Sequence, residues 1–177
     1  MLTLREVTLD DAPAVQRIYC GASVRFTHGN GYRMTSEDAH RRVIEVLHKA
    51  QERPRTVWDF AIAIDGDMCG LITLRASGPE LGSLSYILRH EVWGRGYATE
   101  AVRDIVAFAF AHTDLRRVTA KHHPDNLASG RVLEKAGFAR VATLRLRADD
   151  GTVVPYQAYT ISCRCADHPL GPTSTRE

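Results

Sequence analysis

Short stretches of alternating apolar and polar residues recur along the chain, and this period of two predicts β-strands. The stretch Leu2-Thr3-Leu4-Arg5-Glu6-Val7 has the pattern of a half-buried strand. Two β-rich runs, Trp58–Ile64 and Met68–Ala76, flank Asp65-Gly66, a dipeptide typical of a tight hairpin. The first part of the sheet is therefore predicted to be antiparallel.

Further strands are predicted in the second half of the chain. Leu81–Leu88 and Arg117–His122 are short β-rich runs, and Phe138–Leu146 and Val153–Cys163 form a last hairpin around Asp149-Asp150-Gly151. The strand predicted from Leu81 is followed by a glycine-rich segment, which is the part of the sequence most informative about function.

Apolar residues recur at helical spacing in the remaining stretches. The four predicted helices run from Asp11 to Tyr19, from Thr35 to Ala50, from Ala98 to His112, and from Asn126 to Lys135. Thr35 with Asp38 resembles a capping box, and Gly137 is a natural residue for the end of the last helix. The predicted fold class is α/β: a single domain with a mixed, mostly antiparallel sheet flanked by helices.

Composition narrows the class of protein without identifying it. The chain has 177 residues and is 44% hydrophobic, enough for one domain with a substantial core. Its formal net charge of only +2 gives no electrostatic reason to expect a nucleic-acid partner. No apolar run near 18 residues and no basic-then-apolar leader is present, so no membrane partner is expected and a cytoplasmic location is predicted.

The cysteines and the chain end add two expectations. Cys20, Cys69, Cys163 and Cys165 form no paired framework and no complete metal-binding pattern, so no metal site is predicted. Residues 166–177 are polar with proline and glycine, which indicates a flexible tail after a domain spanning residues 1–165.

A glycine-rich turn joins the predicted strand at Leu88 to the helix that follows it. The segment reads Trp93-Gly94-Arg95-Gly96-Tyr97-Ala98-Thr99-Glu100-Ala101. Glycines permit a tight turn and close backbone approach, and the first N–H groups of a helix have no partner within the helix. Together with the positive end of the helix dipole, these groups favour a phosphate ligand, although an ordinary strand-to-helix loop could have the same sequence.

A second motif supports a specific family. Asn126-Leu127-Ala128-Ser129 is followed by Lys135-Ala136-Gly137-Phe138, and with the glycine-rich turn this sequence resembles the GNAT superfamily of acyl-CoA N-acyltransferases. The sequences of both motifs are similar to those of the ribosomal-protein-alanine acetyltransferase (Rim-type) branch. The resemblance extends from about Leu2 to Cys163, and Trp93 departs from the Arg or Gln that is usual at the first position of the turn.

The resemblance implies acetyl-CoA as cosubstrate and no covalent enzyme intermediate. It places the pyrophosphate on the turn and the pantetheine arm in a gap that opens beside the strand ending at Leu88. The residues implied in cofactor binding are Ile87, Leu88, Arg89, Gly94, Arg95, Gly96, Tyr97, Ala98, Thr99 and Asn126. Asn126 also suits the N-cap of a helix, and the two roles are compatible.

Catalysis is less well specified by the sequence. Many GNAT enzymes carry a tyrosine seven residues after the asparagine as the acid, but this chain has Leu133 there. Rim-type relatives suggest Ser129 as the acid instead, while its alternative role is that of a polar residue in the first helical turn. His122 is the candidate base because of its intrinsic pKa near 6.5, with Glu91 and Glu100 as rivals, and the base stays unassigned.

The acceptor side is implied by the family rather than by a motif. The first two helices and the loop between them border the acceptor site in relatives, so Phe26, His28, Tyr32 and Arg33 are candidate substrate contacts. The acceptor is predicted to be a primary amine of a small molecule, an antibiotic or a protein N-terminus, and the protein a monomer or homodimer. The alternative function is a non-catalytic acyl-CoA-binding regulatory domain.

Overall fold

The computed structural model describes residues 1–27, 32–147 and 151–163. His28 and the predicted tail at 166–177 lie outside the described residues. The strands are β1 (Leu2–Glu6), β2 (Val57–Ile64), β3 (Asp67–Gly78), β4 (Leu81–Leu88), β5 (Arg117–His122), β6 (Ala139–Arg147) and β7 (Val153–Ser162). The helices are α1 (Ala12–Ile18), α2 (Ser36–Gln51), α3 (Tyr97–His112) and α4 (Leu127–Lys135), with 3-10 turns at Leu9–Asp11, Gly21–Val24 and His90–Val92.

The described strands form one seven-stranded sheet in the order β1-β2-β3-β4-β5-β7-β6. All neighbours are antiparallel except β4 and β5, which run parallel. This confirms the predicted α/β class and the mixed, mostly antiparallel sheet. A parallel pair needs a crossover connection, and α3 supplies it.

The hairpin between β2 and β3 forms at the predicted dipeptide. Ile64 pairs with Asp67, which leaves a loop of Asp65 and Gly66. Both loop residues have positive φ, 50° and 88°, the combination that a type I′ turn requires. The turn sets the pairing of β2 with β3 next to it, and the register then shifts by a bulge between Ile62 and Ala63.

The two parallel strands separate at the middle of the sheet. Pairing between β4 and β5 is limited to Leu81–Leu84 with Arg117–Ala120. From Ser85 onward, β4 continues its pairing with β3 up to Leu88 while β5 pairs only with β7. The sequence could not show this separation, which opens a gap beside the second half of β4.

The sheet is covered by helices on both faces. One core cluster packs α3 and α4 against the sheet through residues such as Val102, Ile105 and Leu133. The other packs α1 and α2 against the opposite face through residues such as Ile18 and Val43. Both clusters are fully buried at these positions, so the gap between β4 and β5 lies between two rigid layers.

Within the described ranges, none of the helices combines the length and apolar character needed to span a bilayer. Among the same residues, no group of three or more His, Cys, Asp or Glu side chains is placed to hold a metal ion.

Gly70 in β3 provides a test of the close contact between β3 and β4. A Cβ at Gly70 would lie 2.6 Å from the Ile87 carbonyl oxygen and 2.9 Å from Leu88 Cγ, and the backbone atom cannot move aside cheaply. We expect Gly70→Ala to lower the free energy of unfolding by about 1–3 kcal/mol. Chemical denaturation of the purified variant measures it.

The matched control is Gly78→Ala in the same strand, since a Cβ there meets nothing within 4 Å. We expect its free energy of unfolding to stay within about 0.5 kcal/mol of the wild type. Equal stability of the two variants would contradict the close approach of β4 to β3 on which the position of the gap depends.

Candidate active site

A cavity of about 290 Å³ occupies the gap where β4 leaves β5. It extends from the glycine-rich turn, past the N-terminus of α4, to the 3-10 turn before α2. The residues that line it are Ser23, Phe26, Thr27, Tyr86, Ile87, Leu88, Val92, Trp93, Gly94, Gly96, Tyr97, Ala98, Thr99, Asn126, Ala128, Ser129, Arg131, Val132 and Lys135. Most of the predicted cofactor residues are therefore in one place.

The glycine-rich turn presents the start of α3 to the cavity. Gly94 and Gly96 have φ of 76° and 85°, a region that other residues rarely adopt. A Cβ at either glycine would meet nothing within 4 Å, so glycine is required here for conformation and not for packing. The turn can thus approach a ligand with bare backbone.

The N–H groups at the beginning of α3 are available to an anion. Thr99 and Glu100 donate to the Gly96 carbonyl at 3.0 and 3.1 Å, so the helical hydrogen-bond ladder starts there. The N–H groups of Tyr97 and Ala98 precede that ladder and have no partner four residues back in the helix. The sixteen-residue α3 adds the positive end of its dipole at the same point.

Trp93, which departs from the family's usual residue, fastens the turn to β4. Its indole Nε1 donates to the Leu88 carbonyl at 3.0 Å, and its ring meets His90 edge to face. An Arg or Gln at this position would bring charge or an amide to the turn. Trp93 instead contributes a neutral hydrogen bond that holds the strand end against the turn.

The N-terminus of α4 forms the opposite wall. Asn126 is the N-cap of α4, and its Oδ1 accepts from the Ser129 N–H at 3.2 Å. The predicted capping role is confirmed, and Asn126 also lines the cavity. The cap therefore fixes Ser129 in the first helical turn, facing the gap.

Ser129 meets a residue that the sequence reasoning missed. The Tyr86 hydroxyl lies 2.8 Å from Ser129 Oγ, where either oxygen can be the donor, and 3.2 Å from the Ser129 carbonyl oxygen, which can only accept. Burial raises the pKa of Tyr86 to about 12, although the hydrogen bond with Ser129 acts in the opposite direction. The phenol is consequently neutral at physiological pH, and both hydroxyl groups face the cavity.

A signal for Tyr86 was present in the sequence. Leu84, Tyr86 and Leu88 alternate along β4 and share the face toward α3 and α4. A lone tyrosine between two leucines on such a face usually donates its hydroxyl to a partner across the core. That partner, however, is 43 residues away and could not be named from sequence.

His122 is buried against α4 and does not line the cavity. Its side chain is 5% exposed, Nδ1 lies 2.7 Å from the His123 carbonyl oxygen, and the ring packs beside Tyr159. A Cβ at Gly130 would come within 2.7 Å of His122 Nε2, so α4 sits directly on this ring. The geometry gives His122 a packing role and offers no support for the predicted role as base.

His123 points to the other side of the sheet, toward the acceptor end of the cavity. Its ring stacks on Phe26 at 5.5 Å between centroids, and Tyr156 packs edge-on against it at 5.6 Å. Nδ1 of His123 accepts from the Asp125 N–H at 3.2 Å, and His123 is not among the residues that line the cavity.

The acceptor end is otherwise formed by the segment before α2. Phe26, Ser23 and Thr27 line the cavity, and the Arg25 guanidinium lies 4.3 Å from the Phe26 ring centre. Tyr32 and Arg33, also predicted as substrate contacts, are described but are not among the lining residues. The backbone bridge between Cys20 and Arg33 shows that this segment folds back toward α1.

Four other predicted groups are not among the residues that line the cavity. The Arg89 side chain pairs with Asp67 at 2.6 Å, and the Arg89 backbone N–H donates to the Cys69 carbonyl. Arg95 and the rival base Glu100 are exposed at the turn, while Glu91 pairs with His90. The basic residues that do line the cavity are Arg131 and Lys135 of α4, which the sequence reasoning did not identify.

Leu133, at the position where many relatives carry a tyrosine, is fully buried. It packs in the core between α4 and the sheet. Leu133 supplies no hydroxyl, whereas Ser129 and Tyr86 are among the hydroxyl-bearing residues that line the cavity.

Chemically, the cavity has three parts. One end presents backbone N–H groups and a helix dipole suited to phosphate, and the middle presents the Ser129 and Tyr86 hydroxyls. The segment before α2 contributes Ser23, Phe26 and Thr27 and is suited to a second substrate. This is the arrangement expected of a site that brings an elongated phosphorylated cosubstrate to an acceptor.

Comparison with known proteins agrees with this arrangement. The family model for the acetyltransferase (GNAT) domain matches residues 1–139. The uncharacterized N-acetyltransferase YoaA of Bacillus subtilis (strain 168) is 26% identical over 163 residues, which cover 90% of this chain and 92% of the relative.

Two solved structures show the shared fold. RimL, a ribosomal L7/L12 α-N-protein acetyltransferase in complex with coenzyme A, has a TM-score of 0.79 at 19% identity, over 91% of this chain and 93% of that chain. AAC(6')-Ib in complex with paromomycin and acetyl-CoA has a TM-score of 0.68 at 23% identity, over 89% of this chain and 92% of that chain.

Proposed function

The chain belongs to the GNAT family of acetyltransferases and is an N-acetyltransferase, and we propose that it moves an acetyl group from acetyl-CoA to a primary amine by direct attack. The observation that carries the proposal is the continuous cavity from the glycine-rich turn to the Ser129 hydroxyl. Acetyl-CoA is an elongated molecule whose phosphates and thioester must be held at separate points. The cavity offers the glycine-rich turn for the phosphates and Ser129 for the thioester.

In this proposal, the pyrophosphate binds the backbone N–H groups of residues 94–98, and Thr99 borders the same turn. The N–H groups ahead of the α3 ladder donate to phosphate oxygens, and the helix dipole favours the negative charge. Arg131 and Lys135 line the same cavity and supply positive charge to the phosphates. Arg95, exposed on the turn, could contribute only from outside the lining.

The pantetheine arm follows the unpaired side of β4. Ile87 and Leu88 line the cavity beyond the last pair between β4 and β5. An amide-containing arm can use backbone groups there as a further strand would. The Asn126 side chain lines the facing wall and is proposed as a second contact to the arm.

The reaction needs a neutral amine and a stabilised leaving sulfur. The amine nitrogen attacks the thioester carbonyl carbon, the carbon–sulfur bond breaks, and its electron pair goes to sulfur. The nitrogen loses a proton to water, because no described side chain at the cavity is assigned as base. Ser129 is proposed to donate its hydroxyl proton toward the sulfur and to regain a proton from water.

Positioning accounts for much of the expected acceleration. Holding the thioester and the amine in reacting geometry converts a bimolecular step into a unimolecular one. The layers on both sides of the gap are packed cores, so the two substrates meet in a fixed frame.

The acceptor is proposed to bind at the aromatic end, at Phe26, with His28, Tyr32 and Arg33 kept as proposed contacts. One structural neighbour is named for a ribosomal protein α-amino group and the other was solved with paromomycin. We therefore propose either a protein N-terminus or a small amine as acceptor, a cytoplasmic location, and a monomer or homodimer. An acceptor panel containing both kinds of amine, with thiol release as readout, decides between them.

The phosphate assignment is tested by paired substitutions at Gly96. Asn and Asp have nearly the same size and both tolerate the left-handed backbone of this position, but only Asp carries charge. We expect Gly96→Asp to bind acetyl-CoA about 10-fold or more weakly than Gly96→Asn, because a carboxylate would oppose the pyrophosphate. Calorimetric titration with acetyl-CoA measures both affinities.

Gly96→Asn is the matched control for backbone strain, and melting temperatures confirm that both variants are folded. Equal acetyl-CoA affinities of the Gly96→Asn and Gly96→Asp variants would contradict binding of the pyrophosphate at this turn. The proposed function would then lose its main support.

The acceptor assignment is tested at Phe26. Phe26 lines the cavity but belongs to the segment before α2 and not to the glycine-rich turn. We therefore expect Phe26→Leu to raise the acceptor KM several-fold, about 1 kcal/mol of lost contact, with acetyl-CoA affinity unchanged. Steady-state kinetics with the best amine of the panel measures it. Phe108→Leu is the control, because Phe108 packs on Phe60 and does not line the cavity. A parallel loss of affinity for both substrates would contradict the division of the cavity.

A further inference from the structure

The contact between Tyr86 and Ser129 spans the gap between β4 and α4. The two hydroxyl oxygens are 2.8 Å apart, close to the preferred distance for an O–H···O hydrogen bond. Both residues line the cavity, at the level where β5 no longer pairs with β4. A hydrogen bond placed here lies at the point where the thioester of the proposed donor must pass.

The direction of this hydrogen bond decides what the serine proton can do. If Ser129 donated to the phenol oxygen, its only proton would be held by Tyr86. If Tyr86 donates to Ser129 Oγ, the serine proton stays free to point into the cavity. The Ser129 carbonyl lies 3.2 Å from the same phenol oxygen and can only accept, so the single phenol proton can be shared between the two Ser129 oxygens in a three-centre hydrogen bond, in which Oγ at 2.8 Å is the nearer acceptor.

We propose that Tyr86 is a positioning residue for acetyl transfer: its phenol donates to Ser129 Oγ and leaves the serine proton free for the departing sulfur. The proposal rests on the proposed function, since it requires acetyl-CoA with its sulfur beside Ser129. It assigns a role to a buried tyrosine hydroxyl that the motifs of the sequence did not include.

The chemistry of the two hydroxyls supports orientation and not proton supply from the tyrosine. Burial raises the pKa of Tyr86 to about 12, well above the pKa of about 8.5 of a simple thiol. A proton transfer that left Tyr86 charged would therefore be unfavourable. The same holds more strongly for Ser129, because an aliphatic hydroxyl is a weaker acid than a phenol, so Ser129 passes its proton to the sulfur only as water replaces that proton. Tyr86 stays neutral, while its hydrogen bond to Oγ polarises the serine hydroxyl and strengthens its donation to sulfur.

A purely structural role makes a different prediction. If Tyr86 served only to hold α4 against β4, loss of its hydroxyl would lower stability and leave turnover almost unchanged. If it acts through Ser129, the loss of its hydroxyl matters for turnover only while the serine hydroxyl is present. A double-mutant cycle on kcat distinguishes the two.

The experiment measures kcat, the KM for acetyl-CoA and the melting temperature of wild type, Tyr86→Phe, Ser129→Ala and the double variant. We expect Tyr86→Phe to lower kcat roughly 10-fold with little change in KM, the effect of one lost orienting hydrogen bond in the transition state. In the Ser129→Ala background, we expect the same change to lower kcat by less than about 2-fold.

Tyr159→Phe is the matched control. Tyr159 is also buried and its hydroxyl donates to Glu134 of α4 at 3.2 Å, but it does not line the cavity. We expect this variant to lose stability and to keep the wild-type kcat. A similar loss of kcat in Tyr159→Phe and Tyr86→Phe would show that loosening α4 is sufficient and would overturn the proposal.

The pH profile supplies an independent readout. Because the Tyr86 pKa is about 12 in the folded protein, the phenol stays protonated throughout the range where enzyme assays are run. We expect wild-type kcat to show no descending alkaline limb up to about pH 10, the ordinary pKa of tyrosine. A descending limb below pH 10 that disappears in Tyr86→Phe would overturn the assignment of a neutral donor.

Failure of the proposal is distinguishable from failure of the proposed function. If wild type releases no thiol from acetyl-CoA with any amine of the panel, the proposed function fails. If wild type turns over but the two substitutions lower kcat additively, or Tyr86→Phe keeps the wild-type kcat, only the role of Tyr86 is overturned.

Discussion

The separation of β4 from β5 is the constraint on which the rest of the site depends. The two strands are parallel and pair only from Leu81 to Leu84. Beyond that point, β4 follows β3 into the glycine-rich turn while β5 turns toward α4. The N-termini of α3 and α4 are thereby brought to one gap, and each contributes unpaired or capped N–H groups to it. An elongated cosubstrate can occupy the gap without displacing any strand-to-strand hydrogen bond.

A second contact makes the gap useful for chemistry. Gly130 lets α4 sit directly on the buried His122 ring, and the Asn126 cap fixes the first turn of that helix. Together they place Ser129 within hydrogen-bonding distance of Tyr86 on the facing strand. His122 thus contributes to the site by supporting the helix, and it is not among the residues that line the cavity.

Much of the fold could be predicted because its determinants are local. The Asp65-Gly66 turn, the bounds of β4 and β5, and the Asn126 cap each depend on neighbouring residues. The turn glycines were also predictable, since positive φ at Gly94 and Gly96 excludes most other residues. Contacts between residues from distant parts of the chain could not be predicted. Three features depend on strand register and on how the helices dock, which the alternation of apolar and polar residues alone cannot fix. They are the Tyr86–Ser129 contact, the basic residues that α4 contributes to the cavity, and the choice between His122 and His123.

The central claim is that the gap holds acetyl-CoA with its sulfur at Ser129. A crystal structure with coenzyme A or a non-transferable acetyl-CoA analogue tests it most directly. The account predicts pyrophosphate oxygens on the N–H groups of residues 94–98, and sulfur within about 4 Å of Ser129 Oγ, the reach of a hydrogen bond to sulfur. It would be contradicted by a ligand bound elsewhere, or by β4 and β5 paired along their full lengths with the gap closed.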